Sequence, residues 1–218
     1  MIIAIDGPAG SGKSTVSRLV AKKLGMLYVD TGAMYRALTL KAVSKNLNLK
    51  DEKEIVDMAR STRIEIAGGR DDRLTILLDG KDVSAAIRTP ELTKNIKFVA
   101  GIAGVRSEMV KLQRRVAKGA KGAVLEGRDI GTVVFPDADK KFYLDADFRE
   151  RSRRRHQELI DAGQKISLKD IEEDVRTRDK SDMERAVAPL KKAKDAIVID
   201  TTAMTIGGVV DKILSYLE

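Results

Sequence analysis

The chain has 218 residues, 43% hydrophobic and 34% charged, with 41 Lys and Arg against 33 Asp and Glu for a formal net charge of +8. That length supports a buried core, and the composition is that of a folded domain with a charged surface rather than a disordered chain. Cysteine is absent and His156 is the single histidine, which excludes disulfides and thiol chemistry and leaves little room for a Ser-His-Asp triad or a multi-histidine zinc centre.

Ile2–Ile5 is a short β-branched apolar run, the pattern of a buried parallel strand. Gly7-Pro8-Ala9-Gly10-Ser11-Gly12-Lys13-Ser14-Thr15 follows and fits G-x-x-x-x-G-K-[ST] in full. Val16, Leu19, Val20 and Leu24 then recur at helical spacing, and Gly25 is a stop signal. The motif thus stands between a strand and a helix, as its mechanism requires. Its glycines let successive amides turn toward a phosphate, and the helix adds its positive end. Lys13 reaches the β- and γ-phosphates, and the Ser14 hydroxyl is suited to Mg2+.

Met26–Val29 reads as a second strand, and the next helix opens at Asp30 or Thr31 and runs to about Ser44. Asp51 and Glu54 form a capping pair for a helix ending near Ser61. Arg63–Ala67 and Leu74–Leu78 are strand-like, with turn signals at Gly68–Asp72 and Asp79-Gly80. An antiparallel hairpin inserted at about residues 63–92 is expected. Glu91–Val99 and Val105–Lys118 are helical, Ala123–Leu125 and Lys141–Leu144 are strands, and Phe148–Leu159 and Leu168–Arg178 are helices, the latter capped by Ser167. Ala196–Ile199 is the last strand and Thr205–Leu217 a terminal helix. Five strands alternating with helices predict an α/β fold: a P-loop-type parallel sheet flanked by helices, with a small antiparallel sheet in the insert.

Arginines recur where loops should meet the carboxyl edge of that sheet, the usual ligand site in such folds. Arg36 follows the second strand and Arg128 the third, and Arg149, Arg151, Arg153, Arg154 and Arg155 follow the fourth. A planar, permanently charged fork suits phosphate oxygens. A solvated helix face is the competing reading for the 149–155 run, with Glu150, Glu158 and Asp161 as partners. Asp30 is read as a cap in preference to a magnesium support, and His156 as a surface residue.

Gly7–Thr15, Asp30–Arg36, Ile87–Glu91, Glu126–Pro136 and Arg185–Leu190 together resemble bacterial-type cytidylate kinase, in that family's order and spacing over nearly the whole chain. The resemblance implies transfer of the γ-phosphoryl group of ATP to CMP or dCMP with Mg2+. It implies that Gly7–Thr15 hold ATP, with Arg151 and Arg155 closing as a lid. Thr31, Arg36, Arg128 and Arg185 would hold the CMP phosphate, Arg106 and Asp129 would read cytosine, and Arg178 and Asp182 would hold the sugar. Lys13, Arg128, Arg155 and Arg185 would stabilise the transferring group. Residues 36–110 would form the monophosphate-binding region and 148–182 the lid. Lys97 and Ala103 stand where that family usually carries serine and proline, and Glu126 replaces a frequent aspartate.

Cytosine chemistry fits the base-reading pair, since a carboxylate accepts from the exocyclic amine and an arginine donates to the ring acceptors. Other readings remain open at this stage: a kinase for UMP, AMP or a non-nucleotide acceptor, a nucleotide switch, or a nucleic-acid binder suggested by the net charge. Aromatic residues at 4% offer few platforms for base stacking. No apolar run approaches the ~20 residues of a membrane span, and the opening residues lack the pattern of a signal peptide. A monomeric cytoplasmic enzyme acting on small molecules is expected, without nucleic-acid or membrane partners.

Overall fold

The computed structural model describes residues 1–68, 74–161 and 163–217. Its contacts divide the chain into two compact units, Met1–Tyr28 with Lys121–Glu218, and Val29–Ala120.

In the first unit β1 (Ile2–Asp6) leads through the glycine-rich loop into α1 (Lys13–Leu24). Gly25 ends α1 in the left-handed conformation, and its N–H closes on the carbonyls of Ala21 and Lys22. β2 (Leu27–Asp30) follows and leads into the second unit. The chain returns as β6 (Ala123–Gly127), β7 (Lys140–Asp145), α6 (Phe148–Asp161), α7 (Leu168–Glu184), β8 (Ile197–Asp200) and α8 (Ile206–Leu214). The five strands form one sheet in the order β2-β6-β1-β7-β8, and β1 runs parallel to both β6 and β7. A strand flanked on both sides and covered on both faces must be apolar throughout. Ile3, Ala4, Ile5, Val124 and Leu125 are accordingly fully buried. Val16, Val20 and Ala21 of α1 join Val209, Val210 and Ile213 of α8 in the same core.

The second unit contains α2 (Thr31–Ser44), α3 (Glu52–Arg60), β3 (Ile64–Gly68), β4 (Leu74–Leu78), β5 (Lys81–Asp82), α4 (Pro90–Ala100) and α5 (Ala103–Lys118). Side-chain caps start its helices where expected: Asp30 accepts from the Ala33 N–H and Asp51 from the Glu54 N–H. The strands form a separate antiparallel sheet, β3-β4-β5. Asp79 and Gly80 both have positive φ, 48° and 83°, which gives the tight hairpin turn its handedness. The expected turn at Gly68–Asp72 lies outside the described residues after Gly68.

Three local features differ from the sequence reading. The hairpin gains a third strand, β5, whose two residues are exposed and carry no apolar alternation to read. A single wide helical turn spans Ile130–Val134. α7 runs six residues beyond Arg178 to Glu184, because the charged segment contains no breaker.

Candidate active site

The loop between β1 and α1 is tightly built. A Cβ at Gly7 would fall 2.0 Å from the Leu144 carbonyl oxygen. Gly10 has φ +75°, and a Cβ there would fall 2.7 Å from the Arg151 carbonyl. Both positions therefore exclude a side chain. The loop closes round Lys13, which is buried and donates from Nζ to the Pro8 carbonyl at 2.6 Å and to Ser11 Oγ at 3.3 Å. Burial and the neighbouring Arg128 cation pull the Lys13 ammonium down to about 7, against the opposing pull of Glu126, Asp182 and Asp6. Such a group regains full charge when an anion arrives.

Ser14, next along the helix, donates from Oγ to Glu126 Oε2 at 2.9 Å, and the Tyr28 hydroxyl donates to the other oxygen of that carboxylate. Asp6, at the end of β1, accepts from the N–H groups of Ile130 (2.9 Å) and Gly131 (2.7 Å). Burial raises the Asp6 carboxyl to about 6, although those two N–H groups act the other way. Asp6 thus ties the glycine-rich loop to the segment that carries Arg128 and Asp129.

Four charged residues converge after that segment. Arg128 Nε donates to Asp182 Oδ2 at 2.7 Å, and Arg185 lies 3.4 Å from Asp129 and 3.6 Å from Asp182. Asp182 keeps Arg128 charged beyond its ordinary range despite burial, and Arg128 holds the Asp182 carboxyl below its own. Arg178 lies one turn before Asp182 on α7, 3.9 Å from Asp174. Arg185 stands just past the helix and donates from Nε to the Ala188 carbonyl at 2.6 Å.

The arginines of α6 are engaged in different ways. Arg151 is buried and donates to the Ala9 carbonyl at 2.9 Å, to Asp179 Oδ2 at 2.6 Å and to the Ala146 carbonyl at 3.0 Å. The Ala9 N–H points at the other Asp179 oxygen, 3.4 Å away. Arg154 donates to the Thr201 hydroxyl and carbonyl and to Glu150. Arg155 pairs with Glu158 at 2.8 Å, and Arg153 with Glu150 at 2.8 Å. Arg151 and Arg155 follow the same helical face in sequence, yet one grips the phosphate loop from inside and the other has a surface carboxylate.

In the second unit, Thr31 is the first residue of α2 and is buried, and Arg36 lies further along the same helix. Asp30 acts as the cap of that helix. Arg106 is buried in the first turn of α5, donates to the Ala100 carbonyl at 3.1 Å, and sits over the Tyr35 ring at 5.3 Å. Lys97 is exposed, with its ammonium 5.1 Å from the Phe98 ring centre, and Ala103 opens α5.

The family model described as cytidylate kinase matches residues 3–218. The chain belongs to the cytidylate kinase family. It is 50% identical over 216 residues to the cytidylate kinase of Desulforamulus reducens, covering 99% of this chain and 96% of that protein. It is 49% identical to the cytidylate kinase of Desulfitobacterium hafniense, covering 99% and 92%. Among solved structures, shikimate kinase from Bacteroides thetaiotaomicron superposes with a TM-score of 0.50 at 13% identity, covering 100% of this chain and 98% of that one. A gluconokinase from Sinorhizobium meliloti gives 0.50 at 14%, covering 99% and 90%. The fold is that of P-loop kinases.

Several residues of this cytidylate kinase family member escaped the sequence reading as site residues. Glu126 was legible as a charge inside an apolar strand, and Asp6 as a carboxylate ending another. Asp179 continues the buried stripe Ile171, Val175, Asp179 at four-residue spacing, the signal that would have found it. The pair Ser14–Glu126 supplies a hydroxyl and a carboxylate oxygen side by side, hard donors of the kind Mg2+ takes alongside phosphate oxygens. The residues present therefore fit the metal that an ATP-using kinase of this family implies.

Proposed function

We infer that the protein transfers the γ-phosphoryl group of ATP to CMP or dCMP, giving ADP and CDP or dCDP. One observation carries this reading: a chain matched by the cytidylate kinase model over residues 3–218 folds its phosphate loop round a buried Lys13.

In this reading the amides of Gly7–Thr15 and the Lys13 ammonium bind the ATP phosphates, while Ser14 and Glu126 hold Mg2+. When bound, the metal neutralises charge on the phosphate oxygens. Arg128 and Arg185 would meet the CMP phosphate, as would Thr31 and Arg36. The carboxylates of Asp182 and Asp129 act before substrate arrives, pairing with those arginines and holding them in place. Asp129 and Arg106 then read cytosine, and Arg178 and Asp182 the sugar. Uracil presents a reversed donor on part of the same edge and would leave buried groups unpaired. The acceptor is already a phosphate oxygen, so the reaction needs positioning and charge stabilisation more than a base. Arg155 supplies further charge from the lid, residues 148–182, and Arg151 supports the loop through Ala9. Closure of the lid excludes water and suppresses hydrolysis of ATP. The same reading makes the enzyme a cytoplasmic monomer, which light scattering and fractionation check.

The test is ADP formation from MgATP with CMP, dCMP, UMP, AMP and no acceptor. Strong stimulation by CMP and dCMP, weak by UMP and none by AMP is expected. Equal use of UMP would overturn the roles of Arg106 and Asp129, and no stimulation by any monophosphate would overturn the kinase reading.

A further inference from the structure

The phosphate loop has a second anchor besides Arg151. Thr201 directly follows β8 and is buried, as is Ser11 of the loop. The Thr201 hydroxyl lies 3.2 Å from the Ser11 carbonyl oxygen and 3.0 Å from that of Asp145, at the end of β7. The Asp145 carbonyl already accepts from the Thr201 N–H at 2.7 Å, so the Ser11 carbonyl is the one that depends on the hydroxyl. Arg154 holds the threonine in place. Its Nη1 donates to Thr201 Oγ1 at 3.0 Å and its Nη2 to the Thr201 carbonyl at 2.6 Å, while its Nε donates to Glu150 at 2.8 Å. With Arg154 donating into the hydroxyl oxygen, the hydroxyl hydrogen is left for a carbonyl.

The direction of that carbonyl decides the direction of the next amide. A trans peptide is planar, and its C=O and N–H point opposite ways. A Ser11 carbonyl held against Thr201 therefore aims the Gly12 N–H away from Thr201. Gly12 immediately precedes α1, which starts without a side-chain cap, so its first N–H groups are left for an anion. The Ser11 hydroxyl in turn accepts from Lys13 Nζ at 3.3 Å. Rotation of the Ser11–Gly12 peptide would disturb both the amide and the tether of the lysine. The neighbouring Thr202 is engaged elsewhere: it donates from Oγ1 to Asp200 at 2.6 Å and accepts from the Asp147 N–H at 2.9 Å.

We infer that Thr201 is a positioning residue of the phosphate loop, its hydroxyl fixing the Ser11–Gly12 peptide so that the Gly12 N–H faces the ATP phosphates. This rests on the reading of Gly7–Thr15 as the ATP site. Thr201 acts through Ser11 and makes no contact with the nucleotide itself. A peptide fixed before the ligand arrives needs no ordering at binding, and its donor is in place when charge develops on the phosphate. The Ala9 carbonyl is held by Arg151 in the same manner, so two peptides of one loop are set by two different segments of the chain.

The test compares Thr201→Val, which keeps the shape and removes the hydroxyl, with Thr201→Ser, which keeps the hydroxyl. Calorimetry measures MgADP binding to the full chain, and steady-state kinetics give KM for ATP and for CMP. In Thr201→Val, MgADP should bind at least about fivefold more weakly, because an aligned donor to a charged phosphate is lost. The KM for ATP should rise by a similar factor while that for CMP stays within about twofold. Thr201→Ser should return both ATP-side values to within about twofold of the parent, and Thr202→Val should leave them there. Thr201→Ala repeats the comparison without the second methyl group if Thr201→Val does not fold. The MgADP comparison needs no acceptor, so it decides the role of Thr201 even if CMP is not phosphorylated. Unchanged MgADP affinity in a folded variant without the hydroxyl, a Thr201→Ser variant no better than Thr201→Val, an equal loss in Thr202→Val, or a parent that binds no MgADP would each overturn the inference.

Discussion

Asp179→Asn separates two roles for Arg151. The Arg151–Asp179 pair is 2.6 Å long, with side chains 9% and 12% exposed, and it holds Ala9 of the phosphate loop at both its N–H and its C=O. Removing one partner of a buried pair leaves the other charge uncompensated, at a cost of about 3–5 kcal/mol. Arg151 retains the carbonyls of Ala9 and Ala146 in the variant, so the low end, about 3 kcal/mol, is expected. A domain of this size loses about 2–4 °C per kcal/mol, which puts the fall in Tm at roughly 6–12 °C. Calorimetry measures that fall, and a cycle with Arg151→Met and the double variant measures the coupling, expected at about 1 kcal/mol or more. The KM for ATP should rise several-fold in Asp179→Asn while the KM for CMP stays within about twofold, because Ala9 lies in the loop proposed to hold ATP. If Arg151 instead served only the ATP phosphates, Asp179→Asn would leave stability unchanged. A Tm within about 2 °C of the parent, with additive single variants, would mean that Asp179 does not stabilise the buried Arg151.

Two further outcomes follow from Lys13. Lys13→Ala should cut turnover at least about a hundredfold, since the donor proposed for the transferring phosphate is lost, while circular dichroism reports an intact fold. Near-normal turnover would remove Lys13 from the mechanism. The ammonium sits at about 7 in the free protein, so raising the pH from 7 to 9 neutralises it before ATP binds. ATP should therefore bind more weakly across that window and take up a proton on binding. Calorimetry in buffers of different ionisation enthalpy measures both effects, and a flat affinity with no proton uptake would contradict the burial of this charge.

Most elements and their chain order were legible from local residue pattern. Ile2–Asp6, the glycine-rich loop and α1 form within about 25 contiguous residues, so apolar period, glycine and cap residues suffice to read them. The same holds for the caps at Asp30, Asp51 and Ser167, whose partners lie three residues away. Full-length kinship with cytidylate kinases was equally legible, because it rests on ordered motifs.

The strand order β2-β6-β1-β7-β8, the third strand of the small sheet and the partners of the charges depend on how distant segments pack. Arg128 meets Asp182 from 54 positions away, and Arg151 meets Asp179 from 28. Arg151 and Arg155 are four residues apart on one helix, yet one is buried against the phosphate loop and the other pairs with Glu158. A charged side chain takes whichever opposite charge or carbonyl the packed backbone brings within about 3 Å. Local periodicity carries no information about that encounter, because burial and distance are set by elements far apart in the chain.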